Sequence, residues 1–332
     1  MIKCEEYGEI RYMSKMKQRT QLRGVLMLLV TALIWGISFV SQSVGMEKVE
    51  GFTFNGIRTL MGAMVLLPFI LVRDKINEKA MGPEQIAQRK RTTKKTIICG
   101  IGLGVVFFIA SSLQQFAFNY STSGKIAFIT AMYMFFVPLI GLFLKKRVSA
   151  VTWGCVGLGF IGLYFLCIDS SGLGAINKGD ILAFACAIGF AVHILLIERF
   201  APDVDGTKLS CVQFFVSGII SCVAMFIFET PKLAEIGSAM VPLLYSGVLS
   251  CGVAYTLQII GQQYTEATVA SLLMSMESVF AVLAAAVILH ELLTGREILG
   301  CVIMFAAIII SRIAEMRPRK VQICTGGEEM ND

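Results

Sequence analysis

Charge is scarce in this chain. Only 16% of its 332 residues are Asp, Glu, Lys or Arg, against about 25% in an ordinary soluble chain. Histidine occurs twice. No HExxH and no clustered carboxylates accompany those two histidines, and serine and cysteine are scattered singly, so a membrane-embedded enzyme would lack recognisable catalytic groups. The sequence has no GxxxxGK[ST] phosphate loop and no soluble ATPase segment, which removes ATP as an expected driving force. No polar stretch exceeds about 25 residues, so a sensor or scaffold would have little surface for docking a partner. The ten cysteines form no CxxC pair and no zinc spacing. Most, such as Cys155, Cys167, Cys186, Cys222 and Cys251, sit in apolar runs and are expected to be packing residues, with no metal, disulfide or cofactor.

Apolar residues fill that gap. They make up 56% of the chain, the mean hydropathy is +0.74, and they come in blocks of roughly 20 residues, long enough to cross a bilayer as helices. The blocks do not alternate with period two, so a barrel is excluded. The expectation is an all-α polytopic membrane protein with ten transmembrane helices over about 24–44, 52–72, 96–116, 125–144, 151–168, 180–197, 209–228, 240–261, 267–289 and 298–313. The first block is too long for a signal peptide, so no cleavage is expected. Basic residues set the orientation: 23 of the 29 fall in the two tails and the loops after the second, fourth, sixth and eighth blocks. By the positive-inside rule that side is cytoplasmic, with both termini on it, in a cell membrane. The net charge of +6 then reflects topology, and no nucleic-acid partner is expected.

The blocks repeat. The stretch from Gly24, GVLMLLVTALIWGISFV, aligns with GDILAFACAIGFAVHIL from Gly179 and sets Trp35 against Phe190 and Ser38 against His193. LQQFAFNYSTSGKIAFITAM from Leu113 aligns with LQIIGQQYTEATVASLLMSM from Leu257, pairing Gln114 with Gln258 and Tyr120 with Tyr264. Five blocks per copy is an odd number, so the second copy is inverted in the membrane. Inverted repeats are an architecture of secondary transporters, with the substrate site near the midplane between the copies. The expected organisation is a tail at 1–23, a first repeat over 24–169, a second over 179–314 and a tail at 315–332.

The chain resembles the drug/metabolite transporter superfamily in its EamA-type ten-helix branch. The resemblance rests on WGISF followed by Arg58 in the next span, and on FVPLIGLFLKKRVSAVTWGCVGLGFIGLYFL closing the first half. In the second half it rests on MESVFAVLAAAVILHELLTGREILG, where Ser278 stands for the family's usual proline and His290 for its glycine. Glu277 and Glu291 hold the acidic positions, and Lys146 and Arg147 replace a frequent Glu-Arg. The resemblance implies a carrier of amino acids, metabolites or drugs, with solute contacts from the first, third, fourth, sixth, eighth and ninth spans.

Polar residues inside the apolar blocks are the candidate site. A charge near the centre of a membrane helix costs about 3 kcal/mol on insertion scales, so Glu277 must meet a partner or water, or carry a proton. It is the candidate for solute binding and for proton coupling; a packing contact is the competing reading. Arg58, near the start of the second span, is the candidate outer-mouth charge, meeting an anion or carboxylate; reaching toward the headgroups or clamping helix ends is the competing reading. His193 is either a relay or a histidine hydrogen-bonded between helices. Gln114, Gln115, Gln258, Gln262, Gln263 and Asn119 are dense for membrane helices and should face the interior. Trp35, Ser38, Gln114, Tyr133, His193, Tyr255, Gln258 and Glu277 form the candidate solute-binding set, with helix packing as the alternative for each. GLGFIG at 157–162 and GIGLG at 100–104 lie in unbroken apolar runs and are read as packing glycines rather than phosphate loops. Pro138 is expected to kink the fourth span.

The function expected is secondary transport of a small organic solute by alternating access, in the export direction. The expected partners are the solute, the lipid bilayer and protons, with a homodimer left open.

Overall fold

The computed structural model describes residues 2–79, 81–146, 148–168, 176–288 and 294–316; side chains are described for these except 2–18, 167, 285–288, 312, 315 and 316. Arg147, His290, Glu291, the end of the first repeat at 169 and the C-terminal tail from 317 lie outside the described residues.

Ten helical rods account for nearly all of these residues. They are α1 (Ile2–Met46), α2 (Gly51–Glu78), α3 (Pro83–Ala117), α4 (Ser123–Phe143), α5 (Ala150–Cys167), α6 (Lys178–Phe200), α7 (Gly206–Phe228), α8 (Met240–Gly261), α9 (Ala267–Met274 and Glu277–Ile288) and α10 (Gly295–Met316). Among the described residues there is no strand. Eight rods are long and apolar enough to cross a membrane, Ala150–Leu166 is a shorter apolar helix, and α10 packs along α5. Large apolar side chains such as Phe143, Phe226 and Val302 are exposed on the outside of the bundle, as a hydrocarbon solvent requires.

Several helix ends differ from the sequence expectation. The rods α1, α2 and α3 run well past the apolar blocks into the basic segments. Lys, Arg, Gln and Glu are good helix formers, so the polar flanks stay helical. A short helix at Leu233–Ser238 was not expected. Helix starts are held by carboxylates: Glu229 accepts from the Phe52 and Thr53 N–H groups at 2.7 Å each, and Asp205 accepts from Lys208 N–H at 3.1 Å. Both satisfy donors that a helix start leaves open.

The two copies pack through a pseudo-two-fold relation. The pairs α2–α7 and α5–α10 meet across it; α3–α6 is mirrored by α8–α1, α3–α7 by α8–α2, and α4–α6 by α9–α1. Atomic contacts repeat in the same way. A Cβ on Gly24 would lie 2.9 Å from Gly261 O and 2.9 Å from Tyr264 Cβ. On Gly179, the equivalent of Gly24, it would lie 2.8 Å from Ala117 O and 3.0 Å from Tyr120 Cβ, and Ala117 and Tyr120 are the equivalents of Gly261 and Tyr264. One contact has been built twice.

Two rods are broken at matching points. In α4 the helix is interrupted at Met132, and in α9 at Ser275 and Met276. Both breaks are tightened turns: Met132 N–H donates to Ile129 O and Met276 N–H to Leu273 O. Pro138, where a kink was expected, lies inside the second segment of α4, and the interruption of that rod is at Met132. The α9 break occurs with no proline. In α8, Tyr245–Ala254 is wound as a π-helix, whereas the equivalent stretch of α3 is ordinary α-helix.

Candidate functional site

A cavity sits where the halves meet. Its lining comes from α1, α2, α3, α4, α6, α8 and α9. Seven of the eight expected solute contacts border it: Trp35 and Ser38 from α1, Gln114 from α3, Tyr133 from α4, Tyr255 and Gln258 from α8, and Glu277 from α9. The helix breaks supply the last pair. Tyr133 and Glu277 are the first residues after the interruptions of α4 and α9, and Tyr133 Oη donates to Glu277 Oε1 at 3.0 Å.

The eighth, His193, lies behind the wall. It is fully buried, its Nε2 is 3.0 Å from Gln213 Oε1, and its ring stands 5.6 Å from that of Phe107. The reading of a histidine bonded between helices describes this geometry, and His193 does not border the cavity.

Arg58 corrects the expectation of a side chain reaching outward. It is only 3% exposed and turns into the cavity lining. Its Nε donates to Asn55 Oδ1 at 2.8 Å and its Nη1 to Gln42 Oε1 at 3.0 Å, and its guanidinium lies 5.7 Å from the centre of the Phe54 ring. Among the described residues no carboxylate pairs with it. Neutral amide oxygens and an aromatic face hold it because an unpaired cation away from water must be solvated by dipoles.

The cavity thus contains one cation and one carboxyl, neither matched by an opposite charge among the described side chains. Three lining side chains also carry a polar atom with no hydrogen-bond partner among the described residues: Trp35 Nε1, Ser38 Oγ and Gln258 Oε1. Aromatic surface encloses them. The Trp35 and Tyr255 rings are 4.5 Å apart, and Phe107 meets Tyr255 edge-on at 4.9 Å. The lining mixes aromatic rings with a larger number of polar side chains, which suits a small polar solute.

Sequence reasoning missed Phe39, Gln42, Thr130, Phe190, Ile194 and Ser250, all of which border the cavity. The repeat could have found two of them. Phe190 is the partner of Trp35, and Ile194 is the partner of Phe39 at the same offset. Asn119, expected to face inward, is exposed, whereas Gln115 and Gln262 are buried.

Comparison with known proteins gives the same architecture. The profile of the EamA-like transporter family matches twice, over residues 22–168 and 177–313. An uncharacterized transporter of Archaeoglobus fulgidus is 29% identical over 289 residues, covering 85% of this chain and 83% of that protein. The uncharacterized transporter YoaV of Bacillus subtilis is 24% identical over 305 residues, covering 90% and 99%. A protein of Escherichia coli named a probable amino-acid metabolite efflux pump is 23% identical over 309 residues, covering 87% and 94%. A solved crystal structure superposes with a TM-score of 0.70 at 17% identity, covering 88% of this chain and 96% of the other; it speaks to the fold alone.

Proposed function

The chain belongs to the EamA-like transporter family, and from that premise we propose that it exports a small zwitterionic solute, an amino acid or close relative, by alternating access between its two halves. The observation that carries this reading is the coexistence of Arg58 and Glu277 in one cavity with no ion pair between them. A free guanidinium suits a carboxylate, which it can grip with two parallel N–H donors. A carboxyl suits an ammonium group. A solute carrying both charges satisfies both, and the spare atoms of Trp35, Ser38 and Gln258 offer it one donor, one hydroxyl and one acceptor.

Glu277 supplies the coupling. Among the described residues it is hydrogen-bonded only to the Tyr133 hydroxyl, and a proton on the carboxyl removes the cost of an unpaired buried charge. An ammonium group docking there replaces that proton, so a proton and the solute take turns on one carboxyl. This is exchange of a proton for a solute. The basic face, with both tails, is the cytoplasmic side under this reading.

The family and the relatives named as transporters favour carriage over an embedded enzyme or a sensor. The deciding experiment is thermal stabilisation of the purified protein by a panel of amino acids, each paired with its amide and its N-acetyl form. The proposal expects stabilisation by the zwitterion and loss of most of it when either charge is masked. Equal stabilisation by all three forms would remove the zwitterion reading.

A further inference from the structure

A second polar region lies behind the cavity. The sequence places Gln213, Ser217 and Ser221 on α7 at successive spacings of four residues, which puts them on one helix face. That face is turned inward: all three are fully buried. Asn55 of α2, Gln115 of α3 and His193 of α6 are fully buried as well. Together these six residues carry seven polar atoms with no partner among the described residues: Asn55 Nδ2, Gln115 Nε2, Gln115 Oε1, His193 Nδ1, Gln213 Nε2, Ser217 Oγ and Ser221 Oγ.

Contacts between the backbones bring the groups together. A Cβ on Gly56 would lie 3.5 Å from Ser221 Cβ, and one on Gly218 would lie 3.0 Å from Thr59 Oγ1. The 55–59 turn of α2 therefore rests on the 217–222 turn of α7. The Phe52 and Phe116 rings meet edge-on at 4.8 Å, which sets the Gln115 turn of α3 level with the start of α2. At the deeper end, His193 and Gln213 are 3.0 Å apart. Asn55 joins this region to the cavity, because its Oδ1 accepts from Arg58 while its Nδ2 meets no acceptor among the described residues.

So dense a set of open donors and acceptors is costly if dry, and buried polar groups are paired with protein or ordered water in more than about nine cases in ten. We infer that the space between α2, α3 and α7, from Asn55 and Gln115 down to Gln213 and His193, holds a file of ordered water molecules. A buried water requires two to four polar neighbours, and the seven open atoms are the groups that would supply them. The mix suits water: amide and imidazole groups, hydroxyls and no carboxylate. Through Asn55 the file solvates the Arg58 cation from behind, which helps an unpaired guanidinium remain in the bundle while the cavity is empty. This inference does not depend on the solute assigned to the cavity.

The test uses the full chain in lipid nanodiscs. A structure at about 2 Å should show separate density peaks within hydrogen-bond distance of Gln115, Ser217 and Ser221; closed packing with no density between the three helices overturns the inference. The second measurement is thermal. In a wet seam, Ser217→Ala and Ser221→Ala each remove a partner from a water and lower the melting temperature by roughly 2–4 °C. In a dry seam the same changes remove an unpaid polar group and raise it or leave it alone, which also overturns the inference. The density readout is made on the unaltered chain, so a variant that fails to fold does not leave the matter open.

Discussion

Tyr133 and Glu277 are 144 residues apart, occupy the same position in the two copies of the repeat, and touch: the phenol donates to the carboxyl at 3.0 Å. The register that aligns Leu113 with Leu257 carries Tyr133 onto Glu277, and each follows the break in its own span. A pseudo-two-fold axis brings equivalent residues face to face where it passes through the molecule. Here a duplicated position has become two different groups that complement one another, a hydrogen-bond donor and a carboxyl. The pair sits in the cavity, with one member from each half, so any rocking of the halves must stretch or break it.

That geometry makes a first prediction. A single buried hydrogen bond contributes about 1 kcal/mol net, so Tyr133→Phe should lower stability by about that much, and a double-mutant cycle with Glu277→Gln should return a coupling of similar size. Chemical or thermal unfolding in mild detergent measures it. Additive effects of the two changes would mean that the two groups do not bond in solution. In reconstituted vesicles, Glu277→Gln should also abolish uptake driven by a pH gradient, since an amide has no proton to exchange.

Arg58 supplies the second. Hydrogen bonds to charged groups are worth about 1.5–3 kcal/mol, so Arg58→Ala should reduce transport efficiency for a carboxylated solute by roughly 10- to 100-fold, at 1.4 kcal/mol per decade. Arg58→Lys keeps the charge but loses the two-donor fork and should recover only part of it. The solute's amide, which has no carboxylate to grip, should be carried equally by all three proteins. Transport assays with the radiolabelled acid and its amide make the comparison, and parallel losses for both solutes would assign Arg58 to helix packing.

Much of this was legible in the sequence because bilayer thickness dictates block length and duplication leaves a register. The ten rods, the repeat and the gathering of Trp35, Gln114, Tyr255 and Gln258 all follow from those two facts. What the sequence could not show is rotation about a helix axis. Arg58 stands near the start of its span, where an outward path to the headgroups is open; only the packed neighbours Gln42 and Asn55 turn it inward. His193 matched Ser38 in register, yet Gln213 draws it out of the cavity wall. The π-wound stretch of α8, which carries Ser250 into the lining, has no composition that separates it from its α-helical twin in α3.

The glycines offer a third prediction. Gly24→Ala and Gly179→Ala should each lower stability by about 1–3 kcal/mol, the usual cost of overpacking, because the added carbon would lie within 2.9 Å of a backbone oxygen in both cases. Gly102 is the control. Nothing lies within 4 Å of a Cβ built there, so Gly102→Ala should be neutral or stabilise by about 0.5–1 kcal/mol through helix propensity. A melting series on the three variants checks the ranking, and equal losses at all three sites would contradict the duplicated contact.

The last prediction concerns closure at the basic face. Glu198, near the end of α6, accepts from Ala267 N–H at 3.0 Å and pairs with Lys146. One carboxylate thereby ties the start of α9 to the segment after α4, and these are the two rods whose breaks hold Glu277 and Tyr133. Ala267 opens α9 just as Ser123 opens α4 in the repeat register, but the start of α4 is tied at the opposite face: Lys125 pairs with Asp180, which lies at the other end of the same α6. One helix therefore carries a tie at each face, and weakening one tie should bias the protein toward opening on that side. Glu198→Gln removes the ionic part and weakens the cap, whose worth is about 0.5–2 kcal/mol; that is enough to shift a balanced equilibrium several-fold. Cysteines introduced at Ser38 or Thr130 in the cavity wall should then react faster with a membrane-impermeant reagent applied from the basic face of inside-out vesicles. The same reagent applied from the other side should react faster only when Asp180→Asn is present. Equal acceleration from both sides by either substitution would mean that Glu198 and Asp180 stabilise the bundle as a whole and do not seal one face each.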